Sequence, residues 1–315
     1  MQIQTFSIVV GTKACNARCP FCVSSMTGFG ELPKRGEIEL VHFEKACRLA
    51  QLAGTTTVLM TGKGEPTLYP GQISEYLQLL ASSQFPFIEL QTNALDIGWL
   101  ARDGQAKHAK ELTRDMLVRW RRSGLNTIAI SVVGIDPEQN RPVYHDDYPD
   151  LATTIGYLHE IGFTVRLCVM MQQGSVDTPD ALQRVIDFCR ANRVEQLTVR
   201  PIRKPDQSED RDASAYVVER GITREQESVI RAWVEQRGRR LLSLMHGAIV
   251  YDVGGQNVCL SDCLTNDPSN GDIRTLIFYS DGRLTYDWQY EGAVLLGGVP
   301  DSVRVRPSRI RQMDI

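Results

Sequence analysis

The chain has no apolar run approaching the roughly 20 residues that a helix needs to cross a bilayer. It also lacks an excess of charge of either sign. Its 35 Lys and Arg against 38 Asp and Glu leave a formal net charge of −3. That balance argues against a large nucleic-acid partner, which asks for a basic surface, and there is no acidic tail. Arginine groups exist locally, at Arg119, Arg121 and Arg122, at Arg237, Arg239 and Arg240, and at Arg304, Arg306, Arg309 and Arg311. Such short runs read as solvated faces. Repeats and low-complexity tracts are absent, so length alone allows one large domain or two smaller ones. The opening "MQIQTFSIVVGTKAC" has no positive flank and no small-residue cleavage site. It reads as a strand and not as a signal peptide. The expectation is a cytoplasmic protein whose eight cysteines stay reduced.

What is present is ordinary globular material: 315 residues, 42% hydrophobic, enough for a core that needs no metal to hold it together. Short β-rich runs alternate with amphipathic stretches. Strands are predicted at 3–11, 55–60, 87–92, 126–133, 163–171 and 194–202, and helices at 38–54, 71–83, 109–124, 150–162 and 178–192. This alternation predicts a parallel sheet covered by helices and curling toward a barrel. In such folds ligands meet the C-terminal ends of the strands. Residues 203–214 read as a polar linker or mobile loop, and a helix is predicted over about 223–238. Short strands follow, with a hairpin signal at "SDGR".

The concentrated chemistry lies in "KACNARCPFC", residues 13–22, where Cys15, Cys19 and Cys22 are spaced C-x3-C-x2-C directly after the first strand. Three is an odd count for disulfides and one short of a structural zinc site. The only histidine nearby in sequence, His42, falls on a predicted helix. Thiolates bind zinc or iron–sulfur clusters. Three around a [4Fe–4S] cluster would leave one iron open to a small molecule, and free thiols remain a third reading. Other polar residues collect at the remaining strand ends: "TGKGEPT" (61–67), Gln91-Thr92-Asn93, Ser131, Arg166 and Arg200.

The cysteine motif, with Phe21 before its last cysteine, resembles the signature of the radical S-adenosylmethionine (radical SAM) superfamily. "GKGEPTL", "QTNA" and "ISVVGIDPE" resemble that family's segments at strands two, three and four, in matching order over about residues 5–202. The resemblance implies a partial (β/α)6 barrel over residues 1–202, with a linker and helix over 203–246 and a β-rich extension over 247–315 that caps the barrel. It implies a [4Fe–4S] cluster held by Cys15, Cys19 and Cys22, and S-adenosylmethionine (SAM) bound near Gly64, Glu65, Asn93, Ser131 and Arg166. Here Lys63 replaces the family's usual glycine before Gly64, so it either loses a backbone contact or meets a carboxylate. The implied chemistry is reductive cleavage of SAM to a 5′-deoxyadenosyl radical that takes hydrogen from a peptide or small-molecule substrate. A nucleoside or nucleotide substrate is the alternative. A low-potential donor such as flavodoxin or ferredoxin would supply the electron. The competing class is a metal-binding module without catalysis.

Cys47, Cys168 and Cys189 read as buried structural thiols. Cys259 and Cys263, spaced C-x3-C in "NVCLSDCLTND", precede a segment similar to the extension of some peptide-modifying members and of the molybdenum-cofactor cyclase. Tyr286, Asp287 and Trp288 stand where those proteins deliver a further cysteine. The pair is therefore read as part of a degenerate extension, with a redox pair or a mixed metal site as alternatives. Cys259, Cys263 and Tyr286 are candidate hydrogen donors.

Overall fold

The computed structural model describes residues 2–27, 32, 37–261 and 271–298. Six parallel strands form its centre: β1 Ile3–Val9, β2 Thr57–Thr61, β3 Phe87–Thr92, β4 Leu125–Val132, β5 Thr164–Met171 and β6 Gln196–Pro201. Between and after them run α1 Val23–Met26, α2 Leu40–Leu52, α3 Pro70–Leu80, α4 Leu95–Asp103, α5 Arg114–Arg122, α6 Pro137–Asn140, α7 Leu151–Ile161, α8 Pro179–Ala191, α9 Arg211–Arg220 and α10 Arg224–Arg237. The C-terminal region adds β7 Arg239–Ser243, β8 Ile249–Val253, β9 Gln256–Leu260, β10 Ile273–Tyr279, β11 Leu284–Thr285 and β12 Val294–Leu296.

The helices start and stop where side chains meet orphan backbone groups. Thr178 caps α8 by accepting from the Ala181 N–H, and Pro179 takes the first helical position, where its missing N–H costs nothing. Gly162, at φ +93°, turns the chain out of α7. The third predicted helix begins five residues late, because residues 109–112 form a turn and Thr113 supplies the cap to the Met116 N–H. Its predecessor α4 falls in a stretch where no helix was predicted. The segment 203–214 is not wholly a linker, since Asp210 caps α9 at its far end by accepting from the Ala213 N–H. The predicted "SDGR" hairpin is present: Tyr279 and Arg283 close the turn, and β10 pairs antiparallel with β11.

All strands belong to one open sheet, in the order β12-β11-β10-β1-β2-β3-β4-β5-β6-β9-β8-β7. The described C-terminal strands lengthen the parallel arc at both ends: β10 pairs in parallel with β1, and β9 with β6. Aromatic packing secures the first of these joints, with Phe43 of α2 edge-on to Phe278 of β10 at 5.1 Å and tilted against Phe6 of β1 at 6.2 Å. His42 Nδ1 adds a 2.8 Å hydrogen bond with the Gly282 carbonyl. The predicted site loops therefore gather at the C-terminal rim of the arc. A second apolar cluster, built on Leu95, Trp99, Val133, Tyr144 and Tyr148, packs against Ala17, Cys19 and Phe21 and so backs the cysteine loop.

Candidate active site

The chain leaves β1 through Gly11, whose φ of +73° suits glycine and whose Cβ position is taken by the Tyr69 ring, 2.1 Å away. The Gly11 N–H donates to Gln72 Oε1 at 2.6 Å, so the cysteine loop springs from a fixed root. Cys15 is exposed, and Cys19 and Cys22 are partly buried. Cys15 Sγ accepts from the Ala17 N–H at 3.4 Å and from Asn93 Nδ2 at 3.8 Å. Donors aimed at sulfur suit a thiolate ligand. Burial pushes the Cys15 thiol up to about 11, with Glu65 and Cys22 adding negative charge; Cys19 is raised further by the same burial and by Cys22 and Cys15. Burial and neighbouring thiols thus disfavour ionisation of Cys15 and Cys19, and a bound cationic centre would reverse that. Among the described residues, no three His, Cys, Asp or Glu side chains converge as the ligands of a single metal ion do. The donor set fits a group that takes three separated thiolates.

The strand-two loop touches this loop backbone to backbone. A Cβ on Gly64 would lie 2.0 Å from the Ala14 carbonyl oxygen, and the Glu65 N–H donates to that oxygen at 3.0 Å. Glu65 is buried and collects four donors. Its Oε1 accepts from the Thr67 N–H at 3.0 Å, Thr67 Oγ1 at 2.7 Å and Thr92 Oγ1 at 2.6 Å, and its Oε2 accepts from the Asn93 N–H at 2.9 Å. Burial raises its carboxyl above the usual range, and these four donors pull the other way. The charge of the Glu209 carboxylate reaches Lys63. Its Nζ donates to the Thr27 carbonyl at 2.8 Å and Thr27 Oγ1 at 2.9 Å, and lies 5.4 Å from the centre of the Trp288 ring. Burial lowers its ammonium to about 8.

Asn93 joins the two loops from the third strand, donating from Nδ2 to Asn16 Oδ1 at 2.8 Å. Sequence reasoning missed the next link. Asn16 Nδ2 donates at 2.8 Å to Asp96, a fully buried acid in the first turn of α4 that also accepts from the His108 N–H at 2.8 Å. Its signal was "NALD", a cap-like carboxylate just past the strand-three end. Asn140 was also missed: it is fully buried, accepts from the Val133 N–H at 3.0 Å and donates to the Gly134 carbonyl at 2.9 Å, and so fixes the end of the fourth strand.

Gly64, Glu65 and Asn93 thus gather beside Cys15. Ser131 lies one strand further, level with Cys168 of β5. The Arg166 guanidinium donates to Glu89 of β3. It faces an interior cavity of about 320 Å³. Gly62, Lys63, Ser24 and Thr27 line this cavity on the loop side, and Thr5, Ser7, Gln91, Cys168, Thr198 and Arg200 line it from the strands. Cys259 and Tyr286 line it too, while Cys263 lies outside the described residues. Cys47, Cys168 and Cys189 are buried, as expected of structural thiols, although Cys168 also reaches the cavity wall. No helix among the described residues is long and apolar enough to cross a membrane.

The sequence model of the Radical SAM superfamily matches residues 9–189, more than half of the chain. A probable dual-specificity RNA methyltransferase RlmN of Pelodictyon phaeoclathratiforme is 24% identical over 229 residues, 66% of this chain and 59% of that protein. A GTP 3′,8-cyclase of Aquifex aeolicus is 24% identical over 198 residues, 62% of this chain and 55% of that protein. The chain thus matches under two thirds of the length of either curated relative. Among solved structures, SuiB of Streptococcus suis bound to S-adenosylmethionine superposes with a TM-score of 0.54 at 15% identity, covering 90% of this chain and 60% of that one. At that identity the likeness speaks for the fold.

Proposed function

The chain belongs to the radical SAM superfamily, whose enzymes use a [4Fe–4S] cluster and SAM, and we propose that it acts on a small molecule held inside the open barrel. The observation that carries this reading is the interior cavity opening beneath the cysteine loop, about 320 Å³ in volume. That volume sits at the lower end for small-molecule sites, and the cavity's walls are strand side chains with fixed positions. Such a chamber suits a compact substrate better than a long peptide or an RNA, and the balanced overall charge agrees with this.

In this reading Cys15, Cys19 and Cys22 hold the cluster. When bound, the cluster and SAM supply one-electron reductive cleavage, which yields the 5′-deoxyadenosyl radical. The chain's own residues position and shield. Gly64 lets the second loop close onto Ala14, and Glu65 fixes the strand-two and strand-three ends by accepting from both. The backbone of that loop and Asn93 are then set to meet the polar end of SAM, with Ser131 beside them. Lys63 Nζ and the centre of the Trp288 ring lie 5.4 Å apart, and both residues line the cavity, where their bulk displaces water. Cys259 and Tyr286 line the chamber, where an S–H or O–H could return hydrogen to a product radical. A cytoplasmic flavodoxin or ferredoxin would serve as reductant.

The test is anaerobic reconstitution with iron and sulfide, followed by SAM and dithionite, with 5′-deoxyadenosine measured by mass spectrometry. Product is expected, and Cys19→Ala should abolish both the iron–sulfur absorption and the product. A fully loaded protein that forms none would instead support the non-catalytic metal module.

A further inference from the structure

The chamber is rich in positive charge. Lys63, Arg166, Arg200 and Arg274 line it, with Asp287 as the lining carboxylate. Glu89 stands behind Arg166 and pairs with it, and the charge of Glu209 reaches Lys63, so the lining itself carries four cations against one carboxylate among the described residues. Arg200 is the sharpest case. It extends from β6 with its Nε buried and without a hydrogen-bond partner among the described residues, and Arg166 Nε is in the same state. A buried N–H without an acceptor is costly, and an anion in the chamber would remove that cost.

The strand register explains how the arginines converge. Cys168, Thr198 and Cys259 form one rung across β5, β6 and β9. Side chains two residues apart on a strand share a face. Arg166 therefore projects one inward step below Cys168, and Arg200 one inward step above Thr198. Arg274 comes from β10, at the other end of the arc, and joins the same lining. The charges of Arg166, Arg200 and Arg274 all reach the Cys259 thiol, which lies among them.

Resting on the enzymatic reading above, we propose that the substrate carries an oxyanion group, phosphate or carboxylate, gripped by Arg200, Arg166 and Arg274 beside Cys259. Planar forked donors from separate strands suit the oxygens of such a group. Arg166 and Arg274 lie near the N-terminal starts of their strands and Arg200 near the C-terminal end of its own, so the three span the chamber's depth, and the cysteine loop lies beyond the C-terminal ends. Held by its anion between these arginines, the substrate would present its other end to the cysteine loop.

The test uses the cluster-loaded wild-type protein titrated with inorganic phosphate, pyrophosphate and malonate, followed by calorimetry and by tryptophan emission, since Trp288 lines the chamber. Saturable binding of at least one probe, one per chain, is expected. A response to the phosphates alone identifies a phosphate-bearing substrate, and a response to malonate alone a carboxylate. Arg200→Gln should weaken binding roughly tenfold or more, Arg200→Lys should recover part of it, and the exposed Arg119→Gln should bind as wild type does. No saturable binding to the wild type, or equal binding by Arg200→Gln, overturns the proposal. The same preparation is assayed for 5′-deoxyadenosine. Product without anion binding refutes this inference alone, whereas anion binding without product establishes the anion site and overturns the enzymatic reading on which its role as a substrate subsite rests.

Discussion

Gly64 and Ala14 meet backbone to backbone: a methyl group on the first would lie 2.0 Å from the carbonyl oxygen of the second. Gly64→Ala must therefore push the cysteine loop away from the strand-two loop. Because backbone opposes backbone, no side chain can swing aside to absorb the clash. The expected result is roughly tenfold or more weaker retention of iron, read as iron and sulfide per chain after desalting. Wild-type retention in the variant would show that the two loops are not in this contact.

Glu65→Gln replaces an acceptor-only carboxylate by an amide that must turn its NH2 toward one or more of four donors. The expected cost to folding is about 1–3 kcal/mol, measured by urea denaturation of the cluster-free protein. An unchanged midpoint would contradict the four-donor arrangement.

Alkylation separates the cysteines by exposure. In cluster-free protein, iodoacetamide should label Cys15 while leaving Cys47 and Cys189, whose thiols burial pushes up to about 11 and about 12. Since the thiolate is the nucleophile and the Cys15 thiol also lies near 11, its labelling should accelerate roughly tenfold per pH unit across the neutral range. Reconstitution should protect Cys15. Peptide mass spectrometry reads all three, and Cys189 reacting before Cys15 would be the contrary result.

Acid stability tests the loop after the fourth strand. Asp147 accepts from Arg102 Nη1 at 2.8 Å and Nη2 at 3.0 Å, and also pairs with Lys107, and its carboxyl lies well below the usual range because of those hydrogen bonds. A depressed folded value means the stabilisation is present above the unfolded value, about 3.9, and fades as pH falls below it. Asp147→Asn should therefore be less stable than wild type at pH 6 by about 1 kcal/mol or less, the group being partly exposed. The gap should close in strong acid. Thermal melts at both pH values would reveal a gap that fails to close.

The alternation of strands and helices was legible because each element buries one face and carries its own periodicity and stops. The α4 helix was not, because "LDIGWLARD" is short, carries a glycine in its interior and buries its first six residues without a break. Its Gly98 is there for packing, since a Cβ would come within 2.3 Å of Pro149. The cysteines, Gly64, Glu65 and Asn93 could be found from motif order, and the structure does bring them together. The pairing of Arg166 with Glu89 could not be read from the sequence, because the two lie 77 residues apart and nothing local marks the pair. The joining of β9 and β10 to opposite ends of the arc, and with it the meeting of Arg200 and Arg274 in one chamber, likewise depends on long-range pairing that no local pattern encodes.

That joining has a consequence for synthesis of the chain. The outer edge of β1 is covered only by β10, and the two are separated by the residues between Val9 and Ile273. At the ribosome's pace, on the order of 10–50 s passes before the covering strand is made. Through that interval the apolar strand "IQTFSIV" offers unpaired backbone to any neighbouring chain.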